Sequence, residues 1–193
     1  TGLNAPPAPQ RHRIVPYALG QAQTGNRSDG QVGIDARYEV TPSSSLIGTI
    51  NPDFATIEAD QERINLTRFE LSQTEKRQFF MEGNELFRQR IRTFYSRRIA
   101  DVAVGGKLQS RHGPWTIGAL YARAESPEES DLADYSVLRV QRDLGRSSVA
   151  VTAADRGLRG AHQGSVGLDA TLFFTPTFGM TAQLIQSYGP TEG

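Results

Sequence analysis

The sequence predicts an all-β protein, an antiparallel up-and-down meander, from three observations. Apolar residues recur at every second position, helical spacing is scarce, and the polar links between alternating segments fall into a short set and a long set. In the clearest segment Val32, Ile34, Ala36, Tyr38 and Val40 share one face, while Gly33, Asp35, Arg37 and Glu39 share the other. The pattern returns with Val102, Val104 and Leu108 against Lys107 and Gln109, and with Trp115, Ile117, Ala119 and Tyr121 against Thr116 and Gly118. It returns again with Val166, Leu168, Ala170, Leu172 and Phe174 against Ser165, Gly167, Asp169 and Thr171. The stretch 135–141 alternates less cleanly: Val137 and Arg139 share one face, and Leu138 and Val140 form the more apolar one.

Nine strands are expected, near 13–23, 31–40, 45–50, 93–111, 115–125, 134–142, 147–154, 165–174 and 178–188. Tight turns at 41–44, 112–114, 143–146 and 175–177 alternate with longer polar links at 24–30, 126–133, 155–164 and from 51 to about 92. In an antiparallel meander every second connection lies at the same end. One end of the sheet is therefore expected to carry only tight turns and the other all the long loops. Strands of about ten residues with two unlike faces and this asymmetry are what an outer-membrane β-barrel requires, because lipid satisfies no free sheet edge and the polar face must turn to a lumen.

A soluble antiparallel sandwich or barrel also alternates. Two details favour the membrane alternative. Asp35, Arg37, Glu39, Lys107 and Asp169 repeatedly occupy the polar face, and Trp115, Tyr121, Tyr38, Phe178 and Tyr188 sit near strand ends, where interfacial aromatic belts lie. Single-chain bacterial barrels have even strand numbers, so an odd count, with an ending of Gly-Pro-Thr-Glu-Gly, leads us to expect residues 1–193 to be one fragment of a larger barrel.

Composition narrows the function classes. Lys and Arg number 21 and Asp and Glu 21, which removes any general attraction to nucleic acid, so none is expected as a partner. With no cysteine there is no disulfide, thiolate nucleophile or cysteine-held zinc. The longest apolar run is four residues, 119–122, far short of a helical membrane span. The chain opens Thr-Gly-Leu-Asn without a basic, apolar leader, so any signal peptide is expected to lie outside it.

Residues 51–98 break the alternation. They hold 9 Lys or Arg, 8 Asp or Glu, and seven of the sixteen aromatics: Phe54, Phe69, Phe79, Phe80, Phe87, Phe94 and Tyr95. Rings interleaved with balanced charge predict a compact element that buries aromatics and pairs ions, rather than a disordered loop. The segment is expected to fold into the barrel mouth as a cap or plug, with a short helix around 82–90.

The same segment carries a family resemblance. Asn-Pro-Asp-Phe at 51–54, Ile-Glu-Ala-Asp at 57–60, Asn-Leu-Thr-Arg-Phe-Glu at 65–70, Glu-Lys-Arg at 75–77, Phe-Phe-Met-Glu-Gly at 79–83 and Phe-Tyr-Ser-Arg-Arg-Ile at 94–99 form a dense run. With Gly-Ile-Asp-Ala-Arg-Tyr at 33–38 before it and Gly-Gly-Lys-Leu at 105–108 after it, the run resembles the bacterial family called domain of unknown function 5916. The chain departs from that pattern at Ser72-Gln73 and Gln78, which touches only local packing. The resemblance implies a C-terminal outer-membrane barrel, often preceded by an exported carbohydrate-binding module of the family nine type, which is not among these 193 residues. It implies outer-membrane lipid and, through that module, a glycan as partners, and it lends no reaction.

The candidate ligand-binding residues are Asp53, Glu58, Asp60, Arg68, Glu82, Arg97 and Arg98. Asp53, Glu58, Asp60 and Glu62 form the tightest acidic cluster, but their spacing lacks the Asp-x-Asp-x-Asp-Gly order of a calcium loop, and no metal is assigned. Arg88, Arg90, Arg92, Arg97 and Arg98 offer rigid bidentate donors to an anionic or sugar ligand, or equally ion partners to Glu75, Glu82 and Glu85. His12, His112 and His162 fall in turns or at the terminus without ligand spacing, and no Gly-x-Ser-x-Gly elbow occurs. No catalytic residue and no cofactor is assigned. The expected role is a non-catalytic anchor or pore in the bacterial outer membrane, associated with glycan binding or uptake. The alternative is a soluble β-rich carbohydrate-active hydrolase drawing a carboxylate pair from Glu58, Glu70 and Glu82.

Overall fold

The structure is a computed structural model, and it describes residues 11–23, 27–52, 75, 77–96, 99, 101–126 and 131–190. Its strands are β1 (His12–Gln23), β2 (Arg27–Thr41), β3 (Ser44–Ile50), β4 (Val102–His112), β5 (Trp115–Glu125), β6 (Leu132–Leu144), β7 (Ser147–Leu158), β8 (Ala161–Phe173) and β9 (Gly179–Tyr188). They form a single sheet in chain order, each strand antiparallel to the next. This is the all-β meander the alternation predicts. β1 and β9 are its two edges.

Register turns the alternation into continuous rows across the sheet. Ile117, Val140, Val151, Leu168 and Leu184 lie directly opposite one another from β5 to β9. One residue along, Gly118, Arg139, Thr152, Gly167 and Ile185 make the parallel row on the other face. The apolar row faces outward: Leu168 is 54% and Leu184 71% exposed. The second row is covered, with Thr152 only 2% exposed and Arg139 buried. The same inversion runs through β3, where Ser45, Ile47 and Thr49 are buried while Leu46 and Ile50 are exposed. A water-soluble sheet does the reverse, since burying each Val, Ile or Leu stabilises it by about 2 kcal/mol and the five-residue row would contribute about 10. The ambiguous strand is resolved in the same sense, with Leu138 outward and Val137 and Arg139 inward.

Several expected boundaries move. β4 begins at Val102 rather than near 93, because Phe94 and Ile99 lie on the sheet's inner face: Phe94 packs edge-on against Phe87 and Ile99 is 1% exposed. The link expected at 155–164 is largely strand, since Asp155, Arg156 and Gly157 pair with Gly164, Gln163 and His162. The hairpin turns on Arg159 (φ 50°) and Gly160 (φ 83°), the two consecutive positive-φ positions that match strand twist. β2 starts at Arg27, which shortens the first link to three residues. The end expected to carry only long loops therefore mixes short and long connections. The helix expected around 82–90 is instead a one-turn helix α1 (Gln78–Met81) and a 3-10 turn at Asn84–Phe87, parted by Gly83 at φ 66°. The positive φ favours glycine there, and a side chain at Gly83 would also displace the Gln109 amide.

The core lies between this segment and the inner face. Phe79, Phe80, Phe87 and Ile99 from the segment pack in one cluster with Ile47, Val102, Leu120, Ala122, Ala124, Ala133, Tyr135 and Val137 from β3 to β6. The inner face is thus apolar where the aromatic rings cover it and polar elsewhere. Phe79 and Phe80 meet edge-on at 5.0 Å, the arrangement ring quadrupoles favour.

Candidate functional site

The described part of the inserted segment, 75–99, is tied to the inner face strand by strand. Arg37 on β2 is ion-paired with Glu82. Lys107 on β4, 2% exposed, donates its ammonium to the backbone carbonyls of Phe79 and Glu82, and Gln109 Nε2 donates to the same Glu82 carbonyl at 2.9 Å. Gln89 Nε2 reaches Thr152 Oγ1 on β7 at 2.9 Å. The side-chain amide of Gln183 on β9 bonds both backbone groups of Ile91, accepting from its N–H at 2.7 Å and donating to its carbonyl at 2.8 Å. Buried backbone groups need partners, and a short irregular segment makes few of its own, so Lys107 and Gln109 supply them to the carbonyls of Phe79 and Glu82.

Inner-face glycines make room for this contact. A Cβ on Gly105 would sit 2.7 Å from Phe79 Cζ, and one on Gly118 would sit 3.1 Å from Phe87 Cζ. Gly48 and Gly106, which point outward, have nothing within 4 Å.

Within the segment Arg77 is the knot. Its Nε and Nη2 donate to the two Glu75 carboxylate oxygens at 2.8 Å each, while Nη1 and Nη2 also reach the carbonyls of Ile99 at 2.5 Å and Ser96 at 2.7 Å. Its guanidinium lies 4.3 Å from the Phe80 ring centre. Burial pushes the Glu75 carboxyl up, but hydrogen bonds from the Arg77 side chain, Ser96 and the Arg77 backbone N–H more than offset this, and its pKa lies below the ordinary 4.5.

Of the candidate ligand residues, Glu82 is described, and its carboxylate is engaged by Arg37. Asp53, Glu58, Asp60, Arg68, Arg97 and Arg98 lie outside the described residues, as do Glu62 and Glu70. Among the described residues Glu75 is ion-paired with Arg77 and Glu82 with Arg37, neither of which is one of the expected arginines, and of those Arg97 and Arg98 lie outside the described residues. Arg92 stacks on Tyr95 at 5.1 Å. His162 is a strand residue rather than a loop one, with Nδ1 2.8 Å from the Asp155 carboxylate, whose other oxygen accepts from Tyr188 at 2.7 Å. Among the described residues no group of three or more His, Asp or Glu is gathered as metal ligands.

Sequence reasoning missed the anchors on the wall. Lys107, Gln109, Thr152 and Gln183 each occupy the polar side of an alternating strand, which was the available signal, but nothing local told an anchor from a residue facing open water.

Comparison with known proteins adds the family. No curated protein and no solved structure matches the chain. The family model described as Domain of unknown function (DUF5916) matches residues 8–113, from just before β1 to the turn after β4, and so takes in the whole inserted segment. More than half of the chain is covered by that match, and the chain belongs to the DUF5916 family.

Proposed function

We propose that this chain is part of an outer-membrane β-barrel that anchors its parent protein, with the 75–99 segment acting as a plug held on the lumen side of the wall. The observation that carries the reading is the inverted burial: apolar rows exposed on one face, and Lys107, Arg139, Thr116 and Thr152 buried on the other. Lipid is the solvent in which that arrangement is favourable.

Aromatic placement supports it. Tyr38, Trp115 and Phe178 are exposed at the end of the sheet with the tight turns, and Tyr121 and Tyr188 at the opposite end. Trp115 and Tyr121 bracket the apolar run of β5 about 20 Å apart along the strand. The edges β1 and β9 each have a strand neighbour on one side only among the described residues, and a membrane sheet satisfies its edges by closing, so further strands are expected beyond them. The plug reading is supported by the wall-to-segment ion pair and hydrogen bonds, which span β2 to β9. Passage of a glycan, the association implied by the family resemblance, would require that plug to move. A soluble hydrolase would leave the apolar rows in water, and the one described member of its carboxylate set, Glu82, is bound to Arg37.

The test is fractionation of the parent protein, followed by electrophoresis of its detergent extract with and without boiling. Outer-membrane location with a mobility shift on boiling is the expected result. A soluble, detergent-independent protein with no shift overturns the reading.

A further inference from the structure

We infer that the outward face holds a binding site for an anionic glycerophospholipid, with the headgroup phosphate on Arg142 and an acyl chain in the trough beside it. The inference rests on the membrane reading above and adds to it a specific lipid.

The trough has a volume of about 620 Å³ and is floored by the small side chains of Ala170 and Ala182, with Val151 and Leu168 rising on one side. Its size falls within the range of ligand sites, roughly 300–1,000 Å³. Register explains its shape. Trp115, Arg142, Val149, Ala170 and Ala182 form one outward row, set beside the bulkier row Ile117, Val140, Val151, Leu168 and Leu184. Two alanines beside two leucines leave a furrow running from the apolar band towards Arg142.

Arg142 is the polar head of that furrow. Its guanidinium stands 5.3 Å from the Trp115 ring centre, and it makes no ion pair with a carboxylate among the described residues. A guanidinium stacked on an aromatic face keeps its hydrogen-bond donors free at the edge of its own plane, where a phosphate can take two of them. Arg146, in the adjoining turn, lies over Phe173 at 5.6 Å and donates to the Pro176 carbonyl, adding a second cation at the same end. The opposite end of the same outward face carries the acids Asp134 and Asp155, with Tyr121 and Tyr188 bonded to them. Arg123 at that opposite end stands 4.0 Å from the Asp134 carboxylate, so the outward cations with no carboxylate partner among the described residues, Arg142 and Arg146, lie at the tight-turn end. That end of an outer-membrane barrel faces the phospholipid leaflet. Charge complementarity selects the anionic lipid over a zwitterionic one.

Trp115 is the chain's single tryptophan, so its fluorescence reports this site directly. The chain is reconstituted in phosphatidylcholine vesicles containing rising fractions of phosphatidylglycerol or of phosphatidylcholine with brominated acyl chains, which quench tryptophan on contact. Half-quenching is expected at an about fivefold lower mole fraction of the brominated phosphatidylglycerol, the effect of one arginine at an anionic surface. Arg142→Gln should merge the two curves, while Arg123→Gln, at the opposite end, should leave them apart. Identical curves for the unsubstituted protein, or a preference that survives Arg142→Gln, overturn the site and leave the membrane reading standing. Absence of quenching by either lipid overturns both.

Discussion

Arg139 on β6 reaches across β7 to Asp169 on β8, and its two terminal nitrogens donate to the two carboxylate oxygens at 2.7 Å each. The bridge is possible because the residue directly opposite Thr152 on β8 is Gly167, so no side chain stands in the way. Thr152 Oγ1 accepts from Arg139 at 2.8 Å as well as from Gln89, which joins the ion pair to the plug.

Asp169→Asn is therefore expected to cost about 3–5 kcal/mol, since it leaves a nearly buried guanidinium without its counter-charge. Urea unfolding in lipid vesicles measures this. Replacing both partners, Arg139→Met with Asp169→Leu, should recover most of the loss. A double variant as unstable as the single one would mean the pair contributes through shape rather than charge.

The adjacent glycines Gly105 and Gly106 give a paired test of which face carries the plug. Gly105→Val forces a methyl into the Phe79 ring and should destabilise by about 1–3 kcal/mol, with faster proteolysis of 77–96. Gly106→Val points into open space and should be neutral or slightly stabilising, because valine suits a strand. Equal effects at the two positions would contradict the facing assigned here.

Lys107→Met keeps the length of the side chain and removes its charge. The carbonyl of Phe79 then loses its donor, while that of Glu82 keeps Gln109. Leaving one buried carbonyl unmet should cost about 1–3 kcal/mol, concentrated in the plug. Hydrogen exchange should quicken at 78–88 and stay unchanged in β6 to β8.

Acid should loosen the plug before the sheet. Glu75 has a folded pKa below its ordinary 4.5, so its ionised form stabilises the fold, fully above pH 4.5, and that contribution is lost as pH falls through the folded value. Protection of 77–96, the exchange rate relative to the intrinsic rate at each pH, measured from pH 6 downward should fall below about pH 4.5. In Glu75→Gln the segment should be loose at every pH and the acid step should vanish.

Much of the fold was legible before any coordinates. Period-two alternation gave the strands, and for β2, β5 and β8 it gave the face as well, because a strand with one solvated and one apolar side can hardly read otherwise. The aromatics of 51–98 announced an element with its own buried rings, and Phe79, Phe80 and Phe87 do bury. The β7–β8 hairpin was misread because Gly157, Arg159, Gly160 and Gly164 look like loop, whereas cross-strand pairing, which no local pattern encodes, makes most of that stretch strand. The start of β4 was placed too early for the converse reason: Phe94 and Ile99, which look like strand residues, pack against the inner face instead of joining the sheet.

What the sequence determined by itself is the alternation, the chain-order meander and the composition of the inserted segment, because side-chain direction in a strand and closure by tight turns are local physics. What only the tertiary structure decided is which face is covered and by what. Lys107, Gln109 and Gln183 become anchors solely because a segment distant in sequence brings backbone groups within about 3 Å of them, and Thr152 because the same segment brings the Gln89 amide there. Ala170 and Ala182 become the floor of a furrow, and Arg142 its head, only when register lines up strands whose residues are tens of positions apart. A contact of that kind depends on long-range pairing, and its energy is invisible until the sheet has formed.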